Sequence, residues 1–133
     1  MKRGYKEMVD EAFAAVTTLS TADAIKLAND PNVVFVDVRD VRELEREGLV
    51  PNSFHAPRGM LEFWIDPDSP YHKQVFAEQK QFVFYCAAGW RTPLSTQLAQ
   101  DMGLTNVPHI DGGFGAWKEA GGPVVEKSNK QKT

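Results

Sequence analysis

The alternation of apolar and polar positions along the chain predicts a repeated order of strand, loop and helix. Short runs rich in β-branched and aromatic residues occupy 33–36, 82–85 and 107–110, and a polar or glycine-containing loop follows each run. After the second run, Leu94 and Leu98 recur at helical spacing until Gly103 stops the pattern. Strands that alternate with helices in this order are typical of a parallel α/β sheet.

The first 18 residues precede this repeated layout and are predicted to form an added segment. Residues 7–15 have the apolar spacing of an amphipathic helix, and residues 16–18 predict a brief lead-in strand. Ser20 then begins a sequence resembling a capping box, which indicates the start of a second helix. Pro108 weakens the strand predicted at 107–110, because proline cannot donate a hydrogen bond to a sheet.

The carboxyl-terminal segment has a composition different from the rest of the chain. It carries several lysines and has no apolar residue after Val125. Such a segment buries too little apolar surface to offset the entropy of ordering it. We therefore predict one folded domain over residues 19–124 and a flexible basic tail over residues 125–133.

Length and charge exclude several classes of protein. The chain has 133 residues, close to the roughly 150 residues of a typical domain, so we expect one domain. Its 42% hydrophobic content is that of a globular protein. A net charge of -3 argues against nucleic acid as a partner. No apolar run reaches the roughly 18 residues that a membrane span needs. We expect a soluble cytoplasmic protein with no nucleic acid or membrane partner.

The chain has one cysteine, Cys86. A single cysteine cannot form an internal disulfide or build a thiolate zinc site. The histidines His55, His72 and His109 do not have metal-ligand spacing either, and we interpret them as surface or internally bonded residues. The sequence therefore predicts a free thiol and no metal.

Cys86 directly follows the predicted strand 82–85, where reactive groups gather in open α/β sheets. The segment 86–91 is short enough to curl into a cradle of backbone N–H groups, and it leads into a helix that starts near Thr92. Such N–H groups and the helix dipole favour anions, including a thiolate. We therefore predict that Cys86 is a nucleophile.

The other residues of this loop suit a site for an anionic substrate. Gly89 permits a positive φ or a close backbone approach, while Ala87 and Ala88 leave the cradle uncluttered. Arg91 can make a charge-assisted contact with the substrate. Trp90 walls the entrance, packs against the aromatic residues at 63–64, or does both.

Four separated motifs occur in a defined order along the chain. They are Asp37-Val38-Arg39 with Glu43, the turn Gly48-Leu49-Val50-Pro51-Asn52-Ser53, the loop Cys86-Ala87-Ala88-Gly89-Trp90-Arg91, and Asp111-Gly112-Gly113-Phe114 with Trp117. This set resembles the rhodanese-like domain family, and the resemblance covers residues 19–123. In the family the turn reads Gly-His-Ile-Pro-Gly-Ala, so Leu49 and Asn52 depart from it. The resemblance implies an α/β fold with a central, mostly parallel five-stranded sheet flanked by helices on both faces.

The resemblance also implies an activity, that of a sulfurtransferase. Cys86 would take sulfane sulfur from a small donor as a persulfide and pass it to cyanide or to a thiol, which can belong to a protein, without a cofactor. Ala87 and Ala88 stand where relatives that favour thiosulfate often carry a basic residue, which makes thiosulfate a poor donor. Arg58 would reach the rim of the pocket, and pairing with Glu62 is its alternative role.

The charged residues that follow the predicted strand 33–36 have two interpretations. Asp37, Arg39 and Glu43 either take part in catalysis or form ion pairs that fix the loop after the strand against its helix. We favour structural support near the site. The pair Phe114 and Trp117 is likewise better suited to core packing than to substrate stacking.

Three other functions remain as alternatives. A binding or regulatory module without catalysis would use the aromatic segment 63–76 as a docking surface. A cysteine phosphatase or arsenate reductase would use a Cys-X5-Arg loop, whereas this chain has Cys-X4-Arg, a tighter cradle. A redox sensor would need a resolving thiol from another molecule, since the chain has no second cysteine.

Overall fold

The computed structural model describes residues 1–127, which contain six α-helices and five strands. The helices are α1 (Tyr5–Ala15), α2 (Thr21–Lys26), α3 (Val41–Glu47), α4 (Leu61–Ile65), α5 (Thr92–Asp101) and α6 (Gly113–Glu119). The strands are β1 (Thr18–Leu19), β2 (Val33–Asp37), β3 (Phe54–His55), β4 (Gln81–Tyr85) and β5 (His109–Ile110). Two 3-10 turns lie at Arg58–Met60 and Gln74–Ala77.

The five strands form one sheet in the order β1-β5-β4-β2-β3, and every neighbouring pair is parallel. The central strands β2 and β4 pair from Val33 with Gln81 to Asp37 with Tyr85. Their carboxyl ends therefore lie side by side, and so do the loops that follow them. The predicted parallel α/β sheet is confirmed.

Side chains alternate between two cores, one on each face of the sheet. On β4, Phe82 and Phe84 point into one core, and Cys86 continues the same face. Val83 and Tyr85 point into the other core. Helices α4 and α5 cover the first face, whereas α2 and α6 cover the second. The prediction of helices on both faces is also confirmed.

The buried face of α5 differs from the apolar stripe that the sequence pattern indicates. Thr92, Thr96 and Ala99 are fully buried, whereas Leu94 is partly exposed and Met102 is 36% exposed. Small side chains face the core, and α1 packs against α5 from outside. The predicted start near Thr92 and the stop at Gly103 agree with the structure.

The boundaries of the first and last elements also depend on tertiary contacts. Helix α1 begins at Tyr5, two residues before the predicted start, and β1 lies at 18–19 because its backbone pairs with β5. Near the other end, Leu49 and Val125 exchange two backbone hydrogen bonds of 2.9 Å. Val125 is the first residue of the predicted tail, and residues 128–133 lie outside the described residues.

The turn that departs from the family pattern has a left-handed residue, Asn52, at the position where the family has glycine. Asn52 has a φ of 63°, a left-handed conformation that glycine adopts freely and asparagine tolerates. Leu49, which replaces the family's histidine, is 6% exposed and belongs to the core. Both departures are therefore compatible with the fold.

Candidate active site

The loop after β4 curls around the sulfur of Cys86. The Gly89 N–H donates to Cys86 Sγ at 3.2 Å, and the hydroxyl of Thr92 lies 3.6 Å from the same sulfur. Gly89 has a φ of 92°, which agrees with the predicted positive φ. Cys86 is 0% exposed. The sulfur is therefore buried, and the loop directs at least one amide towards it.

Helix α6 fixes the loop from the other side. The Phe114 N–H donates to the Cys86 carbonyl at 2.8 Å, and the Gly115 N–H donates to the Ala87 carbonyl at 3.0 Å. These donors belong to the first turn of α6, whose N–H groups have no partner within the helix. The first turn of α6 therefore anchors the cysteine loop. Phe114 and Trp117, at 2% and 0% exposure, pack in the core as predicted.

Arg91 ends the loop and forms an ion pair with a residue of α3. Its guanidinium donates two hydrogen bonds to the Glu43 carboxylate, at 2.8 and 2.9 Å. Hydrogen bonding to Arg91 lowers the pKa of Glu43 to about 2, so this carboxylate stays charged near neutral pH. The cation at the start of α5 therefore has a protein anion beside it, and its charge is partly compensated without a substrate.

Asp37 and Arg39 form a second ion pair beneath this one. Arg39 Nη2 lies 2.7 Å from Asp37 Oδ2, and the side chains are 1% and 0% exposed. Arg39 also donates to the Gly48 carbonyl at 2.8 Å and stacks its guanidinium 4.4 Å from the Phe114 ring centroid. Arg39 thus connects the end of β2 to α6. Glu43, in contrast, pairs with the cysteine loop.

We predict that Glu43→Gln makes the surroundings of Cys86 more attractive to anions. The substitution removes one negative charge and leaves the charge of Arg91 uncompensated. We expect the ratio of the alkylation rates by iodoacetate and by neutral iodoacetamide to rise about three- to fivefold. Taking the ratio cancels any change in access to the buried sulfur.

Glu47→Gln is the matched control, because Glu47 ends the same helix and its side chain is 47% exposed. The ratio is expected to stay at the wild-type value in this control. An unchanged ratio in Glu43→Gln itself would contradict an electrostatic role for the Glu43–Arg91 pair.

Trp90 is 61% exposed and stacks on Tyr5 of α1, with ring centroids 5.8 Å apart. Among the described residues its ring stacks on Tyr5, whereas the Trp64 ring packs on Phe54. Together with Val9 and Phe13 of α1, the Trp90 and Tyr5 rings border a groove of about 480 Å³ beside the cysteine loop. The added helix α1 therefore provides one wall of the site.

Arg58 lies away from this groove. It is exposed and borders a different depression, which includes Met8 and Leu94. Its side chain has no described ion pair with Glu62 among residues 1–127, although both residues line that depression. A larger groove of about 660 Å³ lies at the amino-terminal ends of β2 and β4, at the end of the strands opposite to the cysteine loop. That groove includes none of the predicted site residues.

Sequence reasoning missed two residues near the sulfur, Thr92 and His109. Thr92 directly follows Arg91, so its position in the loop was a usable signal. His109 is 0% exposed, and its Nδ1 atom lies 3.0 Å from Thr92 Oγ1. No sequence spacing links His109 to Cys86, because only the pairing of β5 with β4 brings the two strands together.

Within residues 1–127, no group of three or more His, Cys, Asp or Glu side chains is placed to hold a metal ion. None of the described helices combines the length and the apolar character that a membrane crossing requires.

The fold and the site define an α/β domain with one cysteine at the start of a Cys-X4-Arg loop. The chain belongs to the rhodanese-like domain family, whose model matches residues 20–120. It is 58% identical to a protein of unknown function from Rhodopseudomonas palustris, described as a possible tyrosine phosphatase. The two structures have a TM-score of 0.91 over 94% of this chain and 96% of that chain.

Other relatives carry sulfurtransferase names. The chain is 33% identical over 104 residues to the thiosulfate:glutathione sulfurtransferase of Saccharomyces cerevisiae, covering 74% of this chain and 73% of that protein. It is 29% identical to the polysulfide-sulfur transferase homodimer of Wolinella succinogenes, with a TM-score of 0.69 over 94% of this chain and 89% of that chain. The chain spans 58% and 61% of two longer curated relatives, from Synechocystis sp. and Mus musculus.

Proposed function

We propose that this protein is a sulfurtransferase that carries sulfane sulfur as a persulfide on Cys86. The observation that carries the proposal is the contact of 3.2 Å between the Gly89 N–H and Cys86 Sγ at the start of a tight Cys-X4-Arg loop. An amide directed at sulfur stabilises an anionic thiolate or persulfide more than a neutral thiol. Membership of the rhodanese-like family and the sulfurtransferase names of relatives support the same function.

The reaction proceeds in two steps that require one nucleophile. The Cys86 thiolate attacks the outer sulfur of a donor and forms a Cys–S–S⁻ persulfide, while the rest of the donor leaves with the bonding electron pair; for thiosulfate the leaving group is sulfite. Cyanide or a thiolate then attacks the terminal sulfur and leaves as thiocyanate or as a new persulfide. This second step regenerates the Cys86 thiolate.

The charge distribution favours donors of low charge over thiosulfate, a dianion. Ala87 and Ala88 contribute no cation, and Arg91 is held by Glu43. The groove beside the loop includes the carboxylates Asp10 and Asp111 and the cation Lys6. We therefore propose that organic persulfides or hydropolysulfides are better donors than thiosulfate. We place the activity in the cytoplasm, where a single reduced cysteine persists without a partner.

The test is persulfide formation on the isolated protein. After incubation with an organic persulfide, polysulfide or thiosulfate, intact mass spectrometry is expected to detect an adduct of about 32 Da in the wild type. The adduct disappears on adding cyanide, with release of thiocyanate. Cys86→Ser, matched by its circular dichroism spectrum and Tm, is expected to give no adduct with any donor.

Two results would contradict the proposal. Absence of an adduct with every donor, in a protein whose thiol still reacts with iodoacetamide, would favour a binding module or another thiol reaction. Appreciable hydrolysis of an aryl phosphate that is lost in Cys86→Ser would favour a phosphatase. A rate with thiosulfate above that with the organic persulfide would contradict only the donor preference.

A further inference from the structure

A chain of hydrogen-bonded side chains leads from the cysteine sulfur across the sheet to the first strand. Thr92 Oγ1 lies 3.6 Å from Cys86 Sγ and 3.0 Å from His109 Nδ1. On its other side, His109 Nε2 lies 2.8 Å from Thr18 Oγ1. Thr92 and His109 are 0% exposed, whereas Thr18 is exposed at the edge of the sheet.

The direction of these hydrogen bonds follows once the sulfur is a thiolate, because a thiolate can only accept a hydrogen bond. Thr92 has one hydroxyl proton and two neighbours that can accept it, the sulfur and the imidazole. If His109 carries its proton on Nδ1, it donates to Thr92 Oγ1, and the Thr92 proton is directed at the sulfur. The Thr18 hydroxyl is compatible with this tautomer, because it can donate to the unprotonated Nε2.

The surroundings of His109 keep its ring neutral and fixed. Burial lowers the pKa of His109 to about 4, although the charge of Asp111 acts in the opposite direction. Phe13 of α1 packs on the ring with centroids 5.3 Å apart. A neutral imidazole has one donor and one acceptor, which matches the two threonine hydroxyls.

We propose that His109 is a positioning residue, held by Thr18, that directs the Thr92 hydroxyl at the Cys86 sulfur as a second hydrogen-bond donor. The Gly89 amide reaches the sulfur from the loop, and the Thr92 hydroxyl reaches it from the first turn of α5. Both donors favour the anionic form of the sulfur. The proposal rests on the proposed function only in taking Cys86 as the reactive group.

Paired substitutions in the full chain test this arrangement through the rate of Cys86 alkylation by iodoacetamide, measured by intact mass from about pH 5 to about pH 11. Thr92→Val and His109→Leu are expected to slow alkylation about tenfold near pH 7, because a hydrogen bond to an anion is lost. At the highest pH their rates are expected to approach the wild-type rate, since the sulfur is then ionised without help. Arg91, the charged neighbour of Cys86, is unchanged in every variant.

Conservative variants separate positioning from packing. Thr92→Ser keeps the hydroxyl, and His109→Asn keeps a donor close to the position of Nδ1, so both are expected to recover most of the rate near pH 7. Thr96→Val is the matched control, because the Thr96 hydroxyl is buried one turn further along α5 and has no hydrogen-bond partner within residues 1–127. Its pH profile is expected to equal that of the wild type.

Three outcomes would overturn the proposal. They are a wild-type profile in Thr92→Val, equal slowing at every pH, and equal rates for His109→Asn and His109→Leu. If His109→Leu does not fold, the comparison of Thr92→Val with Thr92→Ser decides alone. The experiment does not depend on sulfur transfer, so persulfide formation can fail while the alkylation profiles still support the hydrogen-bonded chain.

Discussion

Replacing Arg39 with methionine is expected to lower the free energy of unfolding by about 3–5 kcal/mol, as does breaking other buried ion pairs. The substitution leaves the Asp37 carboxylate, which is 0% exposed, without its guanidinium partner. It also leaves the Gly48 carbonyl without the donor it has at 2.8 Å. A domain of this size has a total stability of about 5–15 kcal/mol, so this loss is large. Urea unfolding followed by circular dichroism measures it.

The double variant Asp37→Asn with Arg39→Met distinguishes the buried charge from lost packing. Asparagine keeps an acceptor for the Arg39 backbone N–H, which contacts Asp37 Oδ1 at 3.0 Å, but it carries no charge. We expect the double variant to be more stable than Arg39→Met alone. Arg46→Met is the control, because the Arg46 side chain is 65% exposed and its substitution is expected to change stability by less than about 0.5 kcal/mol. A small loss in Arg39→Met would contradict the assigned role of the pair.

Replacing Gly113 with alanine is expected to reduce persulfide formation about 100-fold, the order of loss that follows from displacing a reactive group by about 1 Å. A Cβ at this position would lie 2.6 Å from the Cys86 carbonyl oxygen and 2.9 Å from the Ala87 carbonyl oxygen. Gly113 also has a φ of 63°, which adds about 1–2 kcal/mol of strain for any other residue. The loop and the first turn of α6 must therefore separate. Initial rates with the preferred sulfur donor measure the effect.

Gly115→Ala is the matched control on the same helix. A Cβ at Gly115 would lie 3.5 Å from the Ala87 carbonyl oxygen, an ordinary contact, and the backbone there is helical. We expect this variant to keep near-wild-type rates. If Gly113→Ala folds and transfers sulfur at the wild-type rate, the anchoring of the loop by α6 does not control the reaction.

Sequence patterns predicted the central part of the fold well. Strands β2 and β4 contain the continuous apolar runs 33–36 and 82–85, and such runs are typical of strands buried on both faces of a parallel sheet. The short edge strands were harder to predict. Strand β1 has only two residues, and its position depends on backbone bonds from His109 and Asp111 to Thr17 and Leu19.

The candidate site was predictable where its residues are contiguous in sequence. The loop 86–91 lies between a strand and a helix, as predicted, and Gly89 has the positive φ that its type suggested. Partners distant in sequence were not predictable. Glu43 and Arg91 are 48 residues apart, and neither charge pattern nor spacing identifies their pairing. Trp90 likewise stacks on Tyr5, a residue outside the matched family region.

The sequence by itself determined the parallel α/β class, the single thiol and the tight loop that holds it, because strand periodicity, residue counts and loop length are local properties. Only the tertiary structure decided which groups surround that thiol. Adjacent strand ends bring Glu43 to Arg91 and His109 to Thr92, and the packing of α1 against α5 brings Tyr5 to Trp90. These contacts depend on the sheet order and on helix packing, in which residues far apart in the chain become neighbours.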